Sequence, residues 1–530
     1  MALLLVEFEA ADRDGNVSTW RAATEGYNHS TAPGFYPEAI EETVGIRREI
    51  RGAESRRRAV GTDFDDLVLI NADGRFDELI DYGIDGREIR GFLVEGPMSA
   101  YDERLPLFTA TMGPASFSLE TITIPIQDRL SELERPYSED SYDGEGDLGG
   151  SRYTQGRPKP KPEGEVYNVE LYLVNTSKGI YQFSAGTDAD VTDVFIGGVP
   201  LVRYDPDYES EEELLDNDEA PPADMAYYRC WPRSDGEGGY IRLPWDSDEG
   251  EPREPSSTLT ANIITSDDNR IGSVLKRLAL RALDEDDIEQ GDIDALNDEF
   301  REPVGVHQDS ERELYRAMER VCQGAGLWFG FDRFGLLRFG KWEKPEAGGP
   351  RFVQANPTSQ PLAEGDYDIE EFESENTEDE DLPAYSVAIL WGRNYTVQDH
   401  LDKEILEEQG VDNPGDRLDF ISSEWSEHRE KDESVRDQHK NAKELEIESA
   451  WATRYAAKDA AERILAREKT RAVRAVVSTW MTPGIIEEIE IADSVEVQLP
   501  RYGMDDGRAF RIRWIDLNPV ENRIEFGIWG

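Results

Sequence analysis

Short runs in which every second residue is apolar recur at both ends of this chain, and a run of that period can bury only one face of a β-strand. In residues 118–127, Ile122, Ile124 and Ile126 alternate with Thr121, Thr123 and Pro125. Near the C-terminus the alternation returns three times, at Val495, Val497 and Leu499, at Phe510, Ile512 and Trp514, and at Ile524, Phe526 and Ile528. Asp505-Asp506-Gly507-Arg508 and Asn518-Pro519 separate these runs, which predicts a small closing meander. The chain opens on an apolar run at residues 3–6 with no basic residue before it and a glutamate directly after. That run is expected to be a first strand, too short for a signal peptide or a membrane span. Residues 1–136 are therefore expected to be β throughout. Within them, residues 61–96 read as a strand-turn-strand unit. Leu67 and Leu69 precede, and Phe76 and Leu79 follow, Asn71-Ala72-Asp73-Gly74, whose Asp-Gly step suits a tight hairpin. After Asp85-Gly86, Ile89, Phe92 and Val94 resume an extended run.

The centre of the chain is mixed. Alternating prolines at 158, 160 and 162 make residues 156–162 a stiff connector. Residues 166–196 read as strands, and Gly197-Gly198-Val199 as a turn into another. The acidic stretch 205–222 is expected to be solvated and mobile, residues 231–245 an aromatic β segment, and 246–255 an acidic linker. Leu275, Leu278, Ala279, Ala282 and Leu283 share one helical face. Ser310-Glu311-Arg312-Glu313 has the order of a capping box before a stripe of Leu314, Met318, Val321 and Cys322, with Gly324 or Gly326 as the stop. Residues 327–339 then form a hairpin about Asp332-Arg333-Phe334-Gly335, and 384–398 a strand. Residues 399–446 are charged and expected to be irregular or partly helical. Ala457, Ala460, Ala461, Ile464 and Leu465 mark a helix to about residue 468. At 530 residues three or four domains are expected; we place them at 1–155, 156–255, 256–383 and 384–530. The fold class is mainly β with an α+β middle.

Charge decides which functions such a chain can serve. Lysine and arginine total 57 against 114 aspartates and glutamates, a net charge of −57. The acid is dispersed through every segment, which suits a high-salt environment better than a single acidic binding tail would. It opposes binding to nucleic-acid phosphates, which needs basic surface; the one basic run, Arg56-Arg57-Arg58, is small enough to be a subunit contact or to neutralise nearby carboxylates. Cys230 and Cys322 are too far apart in sequence for a disulfide framework or zinc spacing. Gly144, Gly146 and Gly149 have G-x-G-x-x-G spacing, but Asp143, Glu145 and Asp147 among them would repel a pyrophosphate. The histidines are His29, His307, His400, His428 and His439; only the last two are near one another, at no metal-ligand spacing. No catalytic, cofactor-binding or metal-binding residue is assigned, and the chain is expected not to be an enzyme.

Three tracts resemble one family. Residues 70–88, INADGRFDELIDYGIDGRE, are similar to the opening domain of siphovirus tail hub, or baseplate hub, proteins. Arg157-Pro158-Lys159-Pro160, followed by Gly164 and Asn168-Val169, resembles a second element, and Arg393-Asn394-Tyr395-Thr396-Val397 a third, in the family's order. The helix feeding the Trp328-Phe329-Gly330-Phe331 strand is also similar. The resemblance implies a structural virion protein with two tail-tube-like β-barrel domains flanking smaller mixed ones. It implies a homotrimer at the tail tip, contacting the tail tube or distal tail protein, the tape measure protein and fibre or receptor-binding proteins, and serving host attachment and genome ejection. Joined to the acid, it suggests a haloarchaeal tailed virus assembled in the host cytoplasm, with no membrane span and no sequence-specific nucleic-acid contact. Acidic insertions at 209–218 and 370–381 depart from the family pattern. The alternative from another class is an extracellular halophilic glycan hydrolase, which would use the acid and the aromatics.

Overall fold

The strand Leu3–Ala11 is buried along nearly its whole length because it lies inside a sheet, between Val17–Ala23 and Glu88–Val94. The computed structural model describes the chain apart from residues 1–2, 43, 52–58, 187, 217–218, 222–226, 233–237, 247–250, 253–257, 267, 309–312, 356–361, 376–381, 399–402, 409, 412 and 520–521. It is mainly β, 40% strand and 21% helix, and divided among several sheets.

Residues 3–127 build two facing sheets. One orders Ile126–Gln127, Leu105–Met112, Glu88–Val94, Leu3–Ala11 and Val17–Ala23; the other orders Ile40–Glu42, Leu67–Ile70, Thr121–Ile124 and Ser116–Phe117. Ile122 and Ile124 are fully buried as the alternation requires, and they share a core with Val6, Phe8, Leu67 and Leu69. At Pro125 one chain passes from the second sheet to the first. On the other side, an isolated bridge joins Ala23 to Glu38, just before the strand Ile40–Glu42.

The hairpin expected at residues 61–96 does not form. Leu67–Ile70 pairs with Thr121–Ile124 and Ile40–Glu42, and the residues after the turn make a 3-10 helix, Asp77–Asp81. Asn71 sets this outcome: its Oδ1 accepts from Phe76 N at 2.8 Å and its Nδ2 donates to Asp77 at 2.9 Å. The closed loop drops Phe76 and Leu79 into the core instead of laying them on a strand.

The central unit is a second sandwich. One sheet orders Val199–Pro200, Ala189–Ile196, Leu259–Thr265, Glu163–Glu170 and Gly305–Val306, and the other Tyr172–Asn175, Ile180–Ser184, Gly239–Arg242, Tyr227–Trp231 and Val202–Arg203. Val169, Phe183, Val194 and Ile241 lie between them. The acidic stretch expected to be mobile is instead packed here in its described part. A helix, Glu211–Leu215, is capped by Ser210 and buries Leu214. Two sheet arginines hold it. Arg229 bonds Glu213 at 2.6 Å and Glu219 at 3.1 Å, and Arg242, fully buried, donates to the carbonyls of Leu214 and Asp216 at 2.7 and 2.6 Å. Opposite charges, invisible in a composition average, gave this segment partners.

The α+β unit packs Ile271–Ala279, Gln290–Glu299, Leu314–Ala325 and Arg454–Glu468 around the hairpin Leu327–Phe331/Leu337–Lys341 and a three-stranded sheet. Gly326 stops the third of these helices in the left-handed region, at φ 66°. The capping-box residues Ser310, Glu311 and Arg312 lie outside the described residues, and Glu313 stands at the helix start without a side-chain cap bond. Residues 399–446, expected to be irregular or partly helical, contribute short helices but also two strands, Ser426–Lys431 and the start of Lys443–Glu448, which flank Ala384–Trp391.

The last sheet is the largest and is drawn from distant segments. Arg508–Asn518 pairs along one side with Arg523–Trp529 and on the other with Ser494–Gln498 and then Ile46–Arg51. From Ser494–Gln498 the pairing continues to Arg351–Val353 and Asp366–Asp368. From Arg523–Trp529 it continues to Arg474–Trp480 and Glu371–Ser374. Since Asp366–Asp368 and Glu371–Ser374 are separated by two residues, the two branches meet in one bent stretch of chain. Phe352, Phe510, Phe526 and Ile528 are fully buried in the same core, with the Phe352 and Phe526 rings 4.7 Å apart.

Phe352→Ala is expected to lower unfolding free energy by about 3–5 kcal/mol, whereas Leu119→Ala, at a side chain 96% exposed, shifts it by no more than about 0.5 kcal/mol. Chemical denaturation of both variants checks this.

Candidate functional site

Two of the tracts singled out in the sequence, around Asn168 and around Asn394, are 226 residues apart and meet at one buried pair of side chains. The meeting begins with a register shift. Glu163–Glu170 slips between Val166 and Val169 against Leu259–Thr265, and Asn168 takes φ 55°, a conformation asparagine tolerates better than most residues. Its side chain faces the 394 loop, where Nδ2 donates to Asn394 Oδ1 and to the Thr396 carbonyl, each at 2.7 Å. Asn168 Oδ1 accepts from Thr260 Oγ1 at 2.6 Å, and its backbone N–H donates to Asn262 at 3.0 Å. Asn394 Oδ1 also accepts from Thr396 N, and Asn394 Nδ2 reaches the carbonyls of Phe420, Ile421 and Ser423 at 3.0–3.2 Å. Both amides are thus satisfied while almost wholly buried.

The surroundings lock the same joint. A Cβ at Gly164, φ 79°, would run into the Val304 carbonyl, so only glycine lets Gly305–Val306 pair there. Tyr395 accepts the His307 backbone N–H on its hydroxyl at 2.9 Å, and its ring lies edge-on to the His307 ring. Arg417 stacks over Phe195 at 3.8 Å and Arg393 over Tyr395 at 4.7 Å. The proline connector is tied in as well: Tyr137 donates to the Lys161 carbonyl at 2.7 Å, and Lys161 pairs with Asp140 at 2.6 Å. Carboxamides, aromatic rings and backbone groups make a rigid joint.

A second joint was not foreseen. Ile46–Arg51 and Ala59–Phe64 form a hairpin arm that leaves the first sandwich and enters the last sheet. Arg48 pairs with Glu490 and donates to the Phe331 carbonyl at 2.9 Å, and Arg47 lies over Trp514 at 4.5 Å. Arg56, Arg57 and Arg58, the run noticed in the sequence, lie outside the described residues. Near this joint burial, reinforced by Glu490, pushes the Asp493 carboxyl up to about 6.

The remaining expectations fall out separately. Gly144, Gly146 and Gly149 sit in turns with a single 3-10 step, Asp147–Gly149. Cys230 and Cys322 are free and buried, and burial pushes both thiols up. His428 bonds Glu430 at 2.8 Å, His29 bonds Thr31 at 2.8 Å, His439 follows the helix Glu433–Gln438, and His400 lies outside the described residues. Among the described residues no group of three or more His, Cys, Asp or Glu could hold a metal ion, and no helix is long and apolar enough to cross a membrane.

No protein-family profile matches the chain, and no curated protein matches it. Among solved structures it is similar to a tail protein from Neisseria meningitidis MC58 at 9% identity, covering 100% of this chain and 96% of that one, with a TM-score of 0.42. It is similar to the 43 kDa tail protein of prophage MuSo2 from Shewanella oneidensis at 11% identity, covering 100% and 96%, with a TM-score of 0.37. It is also similar to prophage tail protein gp18 from Listeria monocytogenes EGD-e at 8% identity, covering 99% and 94%, with a TM-score of 0.33.

Asn394→Ala is expected to cost about 2–3 kcal/mol, since it removes one of the two acceptors of Asn168 Nδ2, the acceptor of Thr396 N and a buried donor shared by three carbonyls; denaturant titration reads it. Asp493 contributes in the opposite sense. Its folded-state pKa lies above the usual 3.8, so its contribution is most favourable below that value and is lost as pH rises through about 6. Asp493→Asn should raise stability at pH 7.5 by about 1–2 kcal/mol and flatten the fall expected between about pH 4 and pH 6.

Proposed function

We propose that this chain is a structural protein of a tailed virus, a tail hub that forms a ring at the distal end of the tail tube. The observation that carries the reading is the pair of strand circuits. In the first, Val17–Ala23, Leu3–Ala11, Glu88–Val94 and Leu105–Met112 pass at Pro125 to Thr121–Ile124, Leu67–Ile70 and Ile40–Glu42, and the Ala23–Glu38 bridge returns to the start. In the second, the bent stretch 366–374 joins both branches of the last sheet. We read each circuit as a small tube-like barrel, one supplied by residues 1–155 and the other, within 384–530, by the strands of 474–529 together with strands from 351–374, while 384–468 packs with the α+β unit. Residues 156–255 and the rest of 256–383 form the units between. The joining of the two tracts similar to tail hubs at Asn168 and Asn394 supports the same reading.

Two barrels per subunit give a threefold ring six similar positions, which is how a trimer can continue a sixfold tube through a closed, head-to-tail interface. Such a ring would sit between the tail tube or distal tail protein above and fibre or receptor-binding proteins below, with the tape measure protein anchored to it. Its role is mechanical, closing the tube until attachment and genome ejection. The dispersed charge of −57 fits a virion that meets molar salt, where counterions offset self-repulsion.

Light scattering in molar KCl is expected to give three times the 60.0 kDa chain mass; a monomer at every protein concentration contradicts the ring. Thermal unfolding should move to higher temperature from low salt to molar KCl, and an unchanged midpoint would remove the high-salt reading.

A further inference from the structure

In a chain this acidic a cleft lined by more cations than carboxylates is unexpected, and one is present. It has a volume of about 420 Å³ and lies where the helix Leu314–Ala325 ends against the strand Leu337–Lys341 and the last turns of Arg454–Glu468. That volume falls in the roughly 300–1,000 Å³ range of ligand clefts. Its lining carries Lys341, Lys344, Arg463 and Arg467 against Glu343 and Glu346, four cations to two carboxylates, while the whole chain carries −57.

Two of these cations are already engaged. Lys341 pairs with Glu299 and Arg467 with Glu468, each at 2.8 Å. The other two make no ion pair among the described residues, though Arg463 also lies over the Phe300 ring at 4.8 Å. Arg463 donates through Nη2 to the Ala325 carbonyl at 3.1 Å, but its Nε is buried with no hydrogen-bond partner among the described residues. Lys344 is exposed, and among the described residues its ammonium bonds the Thr470 hydroxyl, Oγ1, at 3.2 Å. Beside them the wall is apolar: Trp342, Pro345 and Ile464 line the same cleft.

The cleft is also preformed. Arg511 donates to the carbonyls of Glu343 and Lys344 at 2.9 and 3.3 Å, Arg467 to the Trp342 carbonyl at 2.6 Å, and Ser494 accepts the Glu346 N–H at 3.0 Å. Little ordering is then left for an occupant to impose.

We propose that this cleft binds the C-terminal carboxylate of a partner polypeptide whose last residue is apolar. A chain terminus carries a carboxylate and a side chain on one Cα, which matches these two cations beside an apolar wall. An aspartate or glutamate side chain brings the charge without the apolar group. Charge-assisted bonds to Arg463 and Lys344 fix the carboxylate, and the rest of this acidic surface repels it, which confines binding to the cleft. The assignment does not depend on the proposed ring.

Calorimetric titration of the full chain tests it with three probes: acetyl-glycyl-leucine, the same peptide as its C-terminal amide, and acetyl-glutamate amide, whose only carboxylate is on the side chain. The free acid is expected to bind one per chain, with the other two at least about tenfold weaker. Lys344→Gln, at an exposed position, and Arg463→Met, which keeps the apolar stem, should each weaken the acid and leave the amide unchanged. Equal binding of acid and amide, equal or tighter binding of acetyl-glutamate amide, no saturation by the acid, or an affinity indifferent to Lys344→Gln overturns the proposal.

Discussion

The structure depends on one intrusion, the arm made by Ile46–Arg51 and Ala59–Phe64. It belongs by sequence to the first sandwich, yet its backbone pairs with Arg508–Asn518 of the last sheet and touches Leu327–Phe331 of the α+β unit. Backbone pairing alone tolerates a slipped register. Arg47 over Trp514, and Arg48 between Glu490 and the Phe331 carbonyl, select the one register that gives both guanidiniums these partners. A Cβ at Gly330 would press on Val60, so the close approach of the arm also depends on a glycine. Removing one member of a largely buried ion pair leaves the other unpaired, which costs far more than the pair itself contributes.

The same logic runs through the charge distribution. Acid is everywhere, but the arginines are concentrated where segments must be held together. Arg229 and Arg242 hold the stretch 205–216, Arg129 ties Asp287 to the Gly335 carbonyl, and Arg281 joins Tyr137 to Glu163. Guanidinium suits this work because it satisfies several carbonyls or carboxylates at once from a planar fork. Carboxylates left over face water and make the surface; arginines, being fewer, are spent at joints. The cleft at Arg463 and Lys344 stands out against this pattern because, among the described residues, neither of these two cations makes an ion pair with a carboxylate.

What could be read in the sequence follows from which elements advertise themselves. Ile122 and Ile124, the three C-terminal alternating runs, the helix ending at Gly326 and the hairpin after it were legible because burial falls on every second or every third to fourth residue. Ser426–Lys431, SEHREK, was not, since it contains no apolar residue and is a strand only because Ala384–Trp391 pairs with it. The turn at Asn71 misled because its Asp-Gly step fits a hairpin, while the bonds from Asn71 to Phe76 and Asp77 that close it into a loop depend on what lies across the core. The tracts around Asn168 and Asn394 could be noticed separately, but their contact is tertiary and left no mark in spacing. The arm was missed for a similar reason, as Arg47 and Arg48 resemble ordinary surface charge until Trp514 and Glu490 are placed beside them.

If the arm unites first and last segments into one sheet, those strands open together. Native-state hydrogen exchange of backbone amides gives the most direct reading. The account predicts that the paired amides of Ile46–Arg51 exchange with the same opening free energy as those of Arg508–Asn518, and that both respond equally to added denaturant. An arm that exchanges freely while Arg508–Asn518 stays protected would contradict it.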